Sequence, residues 1–219
     1  MDETAQAISD ELRAHADPAR APGQQAYMKS AMPFLGVSVP EARRIAQRQA
    51  RGVHDAGALL QTARTLWDGA THREERYAAL AVLGARPLRG DLDLLPLIEH
   101  VVRTGQWWDF TDEVAHRVAE LLDAYPRELG FVIRRWSGDE DPWMRRLAII
   151  SQLGRRERLD LALLTDVIEA NADDGEFFIR KAIGWALREA ARRHPEWVRE
   201  FVASHELSAL SVREATKHL

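Results

Sequence analysis

The sequence contains no cysteine, and this absence removes several kinds of chemistry. Disulfide bridges, thiolate ligation of metals and a cysteine nucleophile are all excluded. Long apolar runs are missing as well, since no segment approaches the roughly 20 consecutive apolar residues that span a bilayer. The first residues are polar and acidic, whereas a secretory signal begins with basic residues followed by an apolar run. We therefore expect a cytoplasmic protein that does not bind membranes.

The short motifs of many cofactor and catalytic sites are also missing. The eight histidines include no HExxH and no comparable metal-binding spacing. Neither glycine-rich phosphate loop, GxxxxGKS/T or GxGxxG, occurs, and the GxSxG elbow of serine hydrolases is absent too. We therefore expect no metal ion and no other cofactor.

The charge balance is slightly acidic, with a formal net charge of −4. A protein that binds nucleic acid usually carries an excess of lysine and arginine. Basic pairs such as Arg43-Arg44 and Arg145-Arg146 do occur, either as parts of a basic surface or as ordinary solvated helix faces. Because a helical solenoid can sort opposite charges onto opposite surfaces, the net charge does not exclude nucleic acid as a partner.

Helix starts are marked by capping residues and prolines. Ser38 stands two residues before Pro40, and Asp141 directly precedes Pro142. Serine or aspartate at an N-cap, with proline in the first turn, is typical of a helix start. The segment 71–74, Thr-His-Arg-Glu, matches the capping box. Between the glycine breaks, apolar residues recur three or four positions apart, and no strictly alternating run predicts a strand.

Helical segments follow one another every 15–20 residues or so, and pairs of them therefore repeat at about 35–40 residues. This period is typical of HEAT-like arrays. We predict an all-α fold, a curved α-solenoid (α-α superhelix) of HEAT-like helical repeats, with residues 1–219 forming a single domain. An ordinary globular helix bundle is the alternative.

Two adjacent tryptophans, Trp107 and Trp108, stand at the start of a long helical pattern. Residues four apart share one face of a helix, so Trp108 and Asp112 are expected to project together. An aromatic face beside a carboxylate is suited to holding a cation or a developing positive charge. The alternative is a core tryptophan beside an acid that the helix N-terminus favours.

Three further segments carry candidate site residues. Arg146 lies three residues after Trp143, where its guanidinium either binds a phosphate through two hydrogen bonds or is an ordinary surface group. Gly184 interrupts a helical pattern at a cost of about 1 kcal/mol relative to alanine, so we expect another backbone to approach it closely. Trp185 follows it, with a core position and a ligand contact equally open. Tyr27 and Lys29 are either ligand contacts or parts of a structural loop.

Taken together, these segments resemble the AlkD-type alkylpurine DNA glycosylases, the HEAT-like repeat family of DNA alkylation repair enzymes. The resemblance runs from about residue 27 to the C-terminus. It rests on Tyr27-Met28-Lys29, Pro33-Phe34-Leu35-Gly36, Trp107-Trp108-Asp109 with Asp112, Trp143 with Arg146, Phe177-Phe178-Ile179, the run from Lys181 to Glu189, and the tail from Leu207 to Leu219.

This resemblance implies an enzyme that removes cationic N3- and N7-alkylated purines from duplex DNA without flipping the base into a pocket. It implies catalytic roles for Trp108, Asp112 and Trp185 at the deoxyribose, and contact of Arg146 with the phosphate backbone. We also assign Tyr27, Lys29 and Lys181, which belong to the resembling segments, to the DNA-binding surface. These roles need no cofactor, and we expect a monomer.

A second function remains open at this point. The same helical array is also expected of a non-enzymatic scaffold that binds a structured nucleic acid or a protein on its concave face. The two possibilities differ in the surroundings of Asp112 and of the two tryptophans. An acid buried in an ion pair, with both indoles in the core, would remove the proposed mechanism.

Overall fold

The computed structural model describes residues 2–219, which form α-helices joined by short turns and contain no β-strand. The all-α prediction is confirmed. The helices are α1 (Glu3–Ala14), α2 (Ala21–Met28), α3 (Val39–Ala50), α4 (Ala56–Asp68), α5 (Arg73–Val82), α6 (Leu94–Gly105), α7 (Trp108–Ala124), α8 (Pro126–Ser137), α9 (Pro142–Ile150), α10 (Leu161–Glu169), α11 (Phe177–Ala191), α12 (Pro195–Ser204) and α13 (Ala209–Ala215). Within residues 2–219, none of these helices is long and apolar enough to cross a membrane.

Local capping explains where several helices begin. Ser38 caps α3 by accepting a hydrogen bond from the backbone N–H of Glu41, and Asp141 caps α9 by accepting one from the N–H of Trp143 at 2.9 Å. Both of these predicted starts are confirmed. Prolines occupy the first turns of these helices, where their missing N–H costs nothing.

The start of α5 differs by one residue from its prediction. His72, and not Thr71, is the N-cap, and the glutamate that reaches back is Glu75, whose Oε2 accepts from the His72 N–H at 3.0 Å. Glu74 is engaged elsewhere: its carboxylate is fully buried and accepts hydrogen bonds from three backbone N–H groups of residues 35–37. A second acid at the next position was therefore free to complete the cap.

The chain divides into two compact units, residues 1–97 and residues 98–219. In the first unit, α5 packs against α1, α3 and α4. Gly36 has a positive φ of 91°, and a Cβ there would lie 2.0 Å from the Asp17 carbonyl oxygen. The turn that follows α2 is thus fixed by glycine and by the Glu74 carboxylate. The prediction of one domain stays a prediction.

The second unit has two rows of helices. Helices α7, α9, α11 and α13 pack each against the next, while α8 packs against α7, α9 and α10. Alternation of successive helices between two rows is the arrangement expected of helical repeats. Trp108, Asp112, Arg146, Lys181 and Trp185 all lie in the first of these rows.

Hydrogen bonds in the second unit repeat with the predicted period. The Trp136 indole N–H donates to Glu99 across 37 residues, and the Asn171 amide donates to the Ser137 carbonyl across 34 residues. These bonds connect α6 to α8 and α8 to the turn after α10, so the sequence period of about 35 residues corresponds to one structural repeat.

Candidate active site on helices α7, α9 and α11

A sharp turn positions the first residues of α7. Gln106 adopts a left-handed backbone conformation, with φ of 47°. Its side-chain amide donates to the Arg103 carbonyl at 3.0 Å and to the Asp141 carboxylate at 2.8 Å. Trp107 follows in an extended conformation as the N-cap, and Trp108 is the first helical residue. The two neighbouring indoles therefore enter different surroundings.

Trp107 belongs to an aromatic cluster with Trp143 and Phe178. The ring centroid of Trp107 lies 6.0 Å from that of Trp143 and 5.8 Å from that of Phe178, and the last two lie 5.1 Å apart. These rings come from the N-terminal ends of α7, α9 and α11 and hold them together. Trp107 thus packs between the ends of these three helices.

The two phenylalanines at the start of α11 lie in different surroundings. Phe178 packs in the aromatic cluster with Trp107 and Trp143. Phe177 is 53 % exposed, and its ring meets that of Phe178 edge to face at a centroid distance of 5.3 Å.

Trp108 and Trp185 are both half-buried, so neither is a core residue. Trp108 lies one turn before Asp112 on α7, and Trp185 lies two turns beyond Phe178 on α11. The close approach expected at Gly184 is confirmed: a Cβ there would lie 2.9 Å from the Ser211 carbonyl oxygen and 2.5 Å from the Glu214 Cβ. Gly184 therefore allows α13 to lie directly against α11 beside Trp185.

Asp112 and Arg146 form a two-point ion pair. Arg146 Nε donates to Asp112 Oδ1 and Nη2 donates to Oδ2, each at 2.8 Å. The remaining nitrogen, Nη1, donates to the Phe178 carbonyl oxygen at 2.7 Å. One guanidinium therefore connects α7, α9 and α11. The Arg146 side chain is 6 % exposed and that of Asp112 is 17 % exposed, so the Asp112 side chain is not fully enclosed.

Burial raises the pKa of the Asp112 carboxyl above its ordinary value, and the nearby negative charge of Asp109 adds to the rise. The hydrogen bonds and the charge of Arg146 oppose this effect. The surroundings thus raise the pKa of the Asp112 carboxyl, while Arg146 fixes its orientation.

These contacts change the role expected of Arg146. The sequence predicted a phosphate contact, but all three guanidinium nitrogens donate to protein oxygens and the side chain is buried. A phosphate would have to use the two remaining N–H groups of a guanidinium on a side chain that is only 6 % exposed. This geometry supports a residue that orients Asp112, and the phosphate contact stays a prediction.

A family model described as DNA alkylation repair enzyme matches residues 8–219, including every residue of this site. The chain belongs to the DNA alkylation repair enzyme family. A role in DNA alkylation repair, with DNA as the substrate, follows from this membership. No curated protein matches the chain.

Solved structures have the same fold. A protein described as a predicted DNA alkylation repair enzyme from Enterococcus faecalis is 29 % identical, with a TM-score of 0.82 over 93 % of this chain and 96 % of that one. AlkD2 from Streptococcus mutans is 18 % identical, with a TM-score of 0.66 over 84 % of this chain and 91 % of that one. The protein smu.31 from Streptococcus mutans UA159 is 18 % identical, with a TM-score of 0.64 over 83 % and 92 %. At 18 % identity, the last two show the fold alone.

The three other residues assigned to DNA binding in this repair-family chain differ in their surroundings. Lys181 is 39 % exposed, and its Nζ lies 3.2 Å from Glu214 Oε1. In the first unit, Tyr27 is 78 % exposed at the end of α2, and the exposed Lys29 caps that helix in a left-handed conformation. All three side chains are accessible, and their contact with DNA stays a prediction.

Sequence reasoning missed Glu214. Its carboxylate accepts from Arg188 at 2.7 Å as well as contacting Lys181, and these bonds hold the pKa of Glu214 below its ordinary value. Gly184 indicated that another segment approaches α11 but did not say which, and the resembling tail from Leu207 to Leu219 did not single out Glu214.

Proposed function

We propose that this member of the DNA alkylation repair family is a DNA glycosylase. Its substrates are cationic N3- and N7-alkylated purines in duplex DNA, and its reaction is hydrolysis of the N-glycosidic bond without base flipping. The observation that carries the proposal is the Asp112 carboxylate, which Arg146 holds by two hydrogen bonds one turn from Trp108, on a side chain that is 17 % exposed.

An alkylated purine of this kind is already a good leaving group. As the bond between the sugar C1′ and the base nitrogen breaks, the bonding electrons neutralise the positive charge of the base. Positive charge then develops on the deoxyribose, as in other glycoside hydrolyses. A water oxygen bonds to C1′, and one proton passes to solvent. No general acid is required, so the protein must chiefly stabilise the charge on the sugar.

Asp112 is the group suited to that task. Each of its oxygens uses one lone pair on Arg146 and retains acceptor capacity for the water or the sugar. The fixed guanidinium reduces the net charge of the pair, but it also removes the cost of orienting the carboxylate during the reaction. Asp112 is therefore the catalytic residue of the proposal, and Arg146 is a positioning residue.

Trp108 and Trp185 supply π faces. An indole face attracts a nearby cation by about 0.5–2 kcal/mol, more when water is excluded. Both side chains are half-buried, so each is held by the fold and still offers part of its ring. In the proposal they flank the sugar on which charge develops.

Selectivity follows from the chemistry. An enzyme that does not protonate the leaving base favours lesions that carry their own positive charge and leaves neutral damaged bases in place. Because the base does not enter a pocket, its size is less restricted than in pocket-type glycosylases. The net charge of −4 opposes association with a polyanion, so we expect weak DNA binding.

The ion pair also supports a second candidate, a scaffold that binds DNA without excising bases. A carboxylate bonded at both oxygens by a buried arginine is a common structural device. In that case Asp112 would hold α7 to α9 and take no part in chemistry.

Release of N7-methylguanine from methylated duplex DNA tests the proposal. Wild type and Asp112→Asn are compared in single-turnover reactions, together with binding to undamaged duplex. We expect the mutant to lose about 100- to 1000-fold in rate, as for removal of one charge-stabilising group, with nearly unchanged binding. Excision at the wild-type rate by the mutant would refute the role of Asp112. Binding without excision by wild type would favour the scaffold.

A further inference from the structure

Helix α13 lies across α11 at the position of Gly184. The Gly184 Cα stands so close to α13 that an added Cβ would meet the Glu214 Cβ at 2.5 Å and the Ser211 carbonyl oxygen at 2.9 Å. Real Cβ atoms essentially never lie this close to other heavy atoms. Any larger residue at position 184 would therefore push α13 away from α11, or rotate α11 beneath it.

The Glu214 carboxylate bridges two turns of α11. Its Oε1 lies 3.2 Å from Lys181 Nζ, and its Oε2 accepts from Arg188 Nη1 at 2.7 Å. Lys181 and Arg188 are seven residues apart and so lie on one face of the helix. The Glu214 side chain is only 16 % exposed, which reduces screening of both pairs by solvent.

Two further hydrogen bonds join α13 to α11. Near the start of α13, Ser211 Oγ donates to the Arg180 carbonyl oxygen at 3.0 Å. Near its end, Arg188 Nη1 also donates to the Glu214 carbonyl oxygen at 3.3 Å. Together, Ser211 and Glu214 form what we call the α13 clasp. The clasp holds α11 at Arg180, Lys181, Gly184 and Arg188, on both sides of Trp185.

Helix α11 contributes two groups to the candidate site. The Phe178 carbonyl oxygen accepts from Arg146, and Trp185 lies two turns further along. Both would move if α11 rotated or slid. We infer that Glu214 is a positioning residue of the site: through the α13 clasp it fixes the rotation of α11, and with it Trp185 and the Arg146–Asp112 pair. The catalytic part of this inference rests on the glycosylase proposed above.

Glu214→Gln should affect DNA binding and excision differently. Glu214→Gln preserves the size of the side chain but removes its charge, so Lys181 and Arg188 lose their shared counter-charge. DNA binding should then stay the same or become tighter, because an anion has been removed beside two cations. Excision should become slower, because α11 is less firmly held. A general loss of structure would instead lower both the affinity for DNA and the excision rate.

The chain offers a matched control in Asp123. Its carboxylate bridges two arginines in the same manner, with Oδ1 2.8 Å from Arg155 and Oδ2 2.8 Å from Arg158, and it is 21 % exposed. Asp123 lies near the C-terminal end of α7, three turns beyond Asp112. Asp123→Asn thus removes an equivalent bridging charge without touching the α13 clasp.

The experiment compares wild type, Glu214→Gln and Asp123→Asn by three measurements. These are the single-turnover rate of N7-methylguanine release at saturating enzyme, the Kd for undamaged duplex, and amide hydrogen exchange of the free protein. We expect the excision rate of Glu214→Gln to be lower than that of wild type by about tenfold or more, and its Kd for DNA to be equal or lower. The excision rate and Kd of Asp123→Asn should stay within about twofold of those of wild type. Exchange should accelerate in residues 177–191 and 142–150 for Glu214→Gln alone.

The measurements separate the two proposals. If Glu214→Gln excises at the rate of the control, Glu214 is not a positioning residue, even if the glycosylase is real. If wild type releases no base, the proposed function fails, and the exchange data then decide about the α13 clasp. If amide exchange in residues 142–150 and 177–191 is the same in Glu214→Gln as in wild type, the positioning of α11 by the α13 clasp is refuted. Gly184→Ala provides a second disturbance of the same contact and should act in the same direction.

Discussion

Arg146 donates two parallel hydrogen bonds to Asp112, from Nε to Oδ1 and from Nη2 to Oδ2, across 34 residues of sequence. A bidentate contact of this kind fixes the plane of the carboxylate as well as its position. The same guanidinium binds the Phe178 carbonyl oxygen, so three helices meet at one side chain. This relationship makes the acid of the candidate site a rigid group whose geometry depends on α9 and α11.

Arg146 variants distinguish orientation of Asp112 from contact with a phosphate. Arg146→Lys keeps the charge but cannot make the two-point pair, so we expect excision to fall by about 10- to 100-fold through loss of orientation. The dependence of DNA binding on salt is measured on Arg146→Ala, which removes the charge, and it should remain that of wild type if Arg146 contacts no phosphate. If the slope of log K against log salt concentration is instead reduced by about one phosphate contact, Arg146 contacts the DNA backbone as the sequence predicted.

The same site predicts a stability effect. Arg146→Ala leaves the largely buried Asp112 carboxylate without its partner, which typically costs about 3–5 kcal/mol. Urea unfolding of the two Arg146 variants measures this cost. A free energy of unfolding equal to that of wild type for Arg146→Ala would show that Asp112 is better solvated than its burial indicates.

The pH dependence of excision should have an acid limb set by Asp112. The reaction requires the ionised carboxylate, so the rate falls as the pH drops through the pKa of this group. Because burial raises that pKa, the limb should lie above the ordinary value of about 3.9 for aspartate. The measurement is the single-turnover rate against pH, corrected for spontaneous base loss without enzyme. Asp112→Asn should lack the limb, and an identical limb in that variant would assign it to another group.

The two half-buried tryptophans should each contribute to the rate. Trp108→Leu and Trp185→Leu remove the π face but keep an apolar side chain, and we expect each to slow excision by about 2- to 30-fold, equivalent to about 0.5–2 kcal/mol. Trp197, which is half-buried on α12 and packs on Phe201 at 5.0 Å, provides the control. Equal rates for Trp197→Leu, Trp108→Leu and Trp185→Leu would remove the indoles from the mechanism.

In the first unit, Glu74 should be important for stability. Its buried carboxylate accepts from the N–H groups of Leu35 and Gly36 at 2.9 Å each, and from that of Val37 at 3.2 Å. Glu74→Gln replaces one accepting oxygen by a donor that faces other donors, so we expect a loss of about 1.5–3 kcal/mol. Urea unfolding measures it against Glu206→Gln, which changes an exposed glutamate. Equal midpoints would contradict this account of the turn after α2.

Local features of the fold were accessible from the sequence because they depend on neighbouring residues. Caps at Ser38 and Asp141 act on N–H groups two or three residues away, and the period of apolar residues fixes which face of each helix is buried. The prediction at Thr71 was one residue early because two adjacent glutamates compete for one cap. Only packing against residues 35–37 decided that Glu74 turns away.

The sequence by itself determined the helical repeat, the break before α7, the shared face of Trp108 and Asp112, and a close approach at Gly184. Each of these follows from residue types and spacings within a few turns. Only the tertiary structure decided that Trp107 joins an aromatic cluster, that Arg146 binds Asp112, and that Glu214 is the residue near Gly184. These partners lie about 30 residues or more apart along the chain, and helix periodicity specifies a face but not the side chain that another helix brings to it.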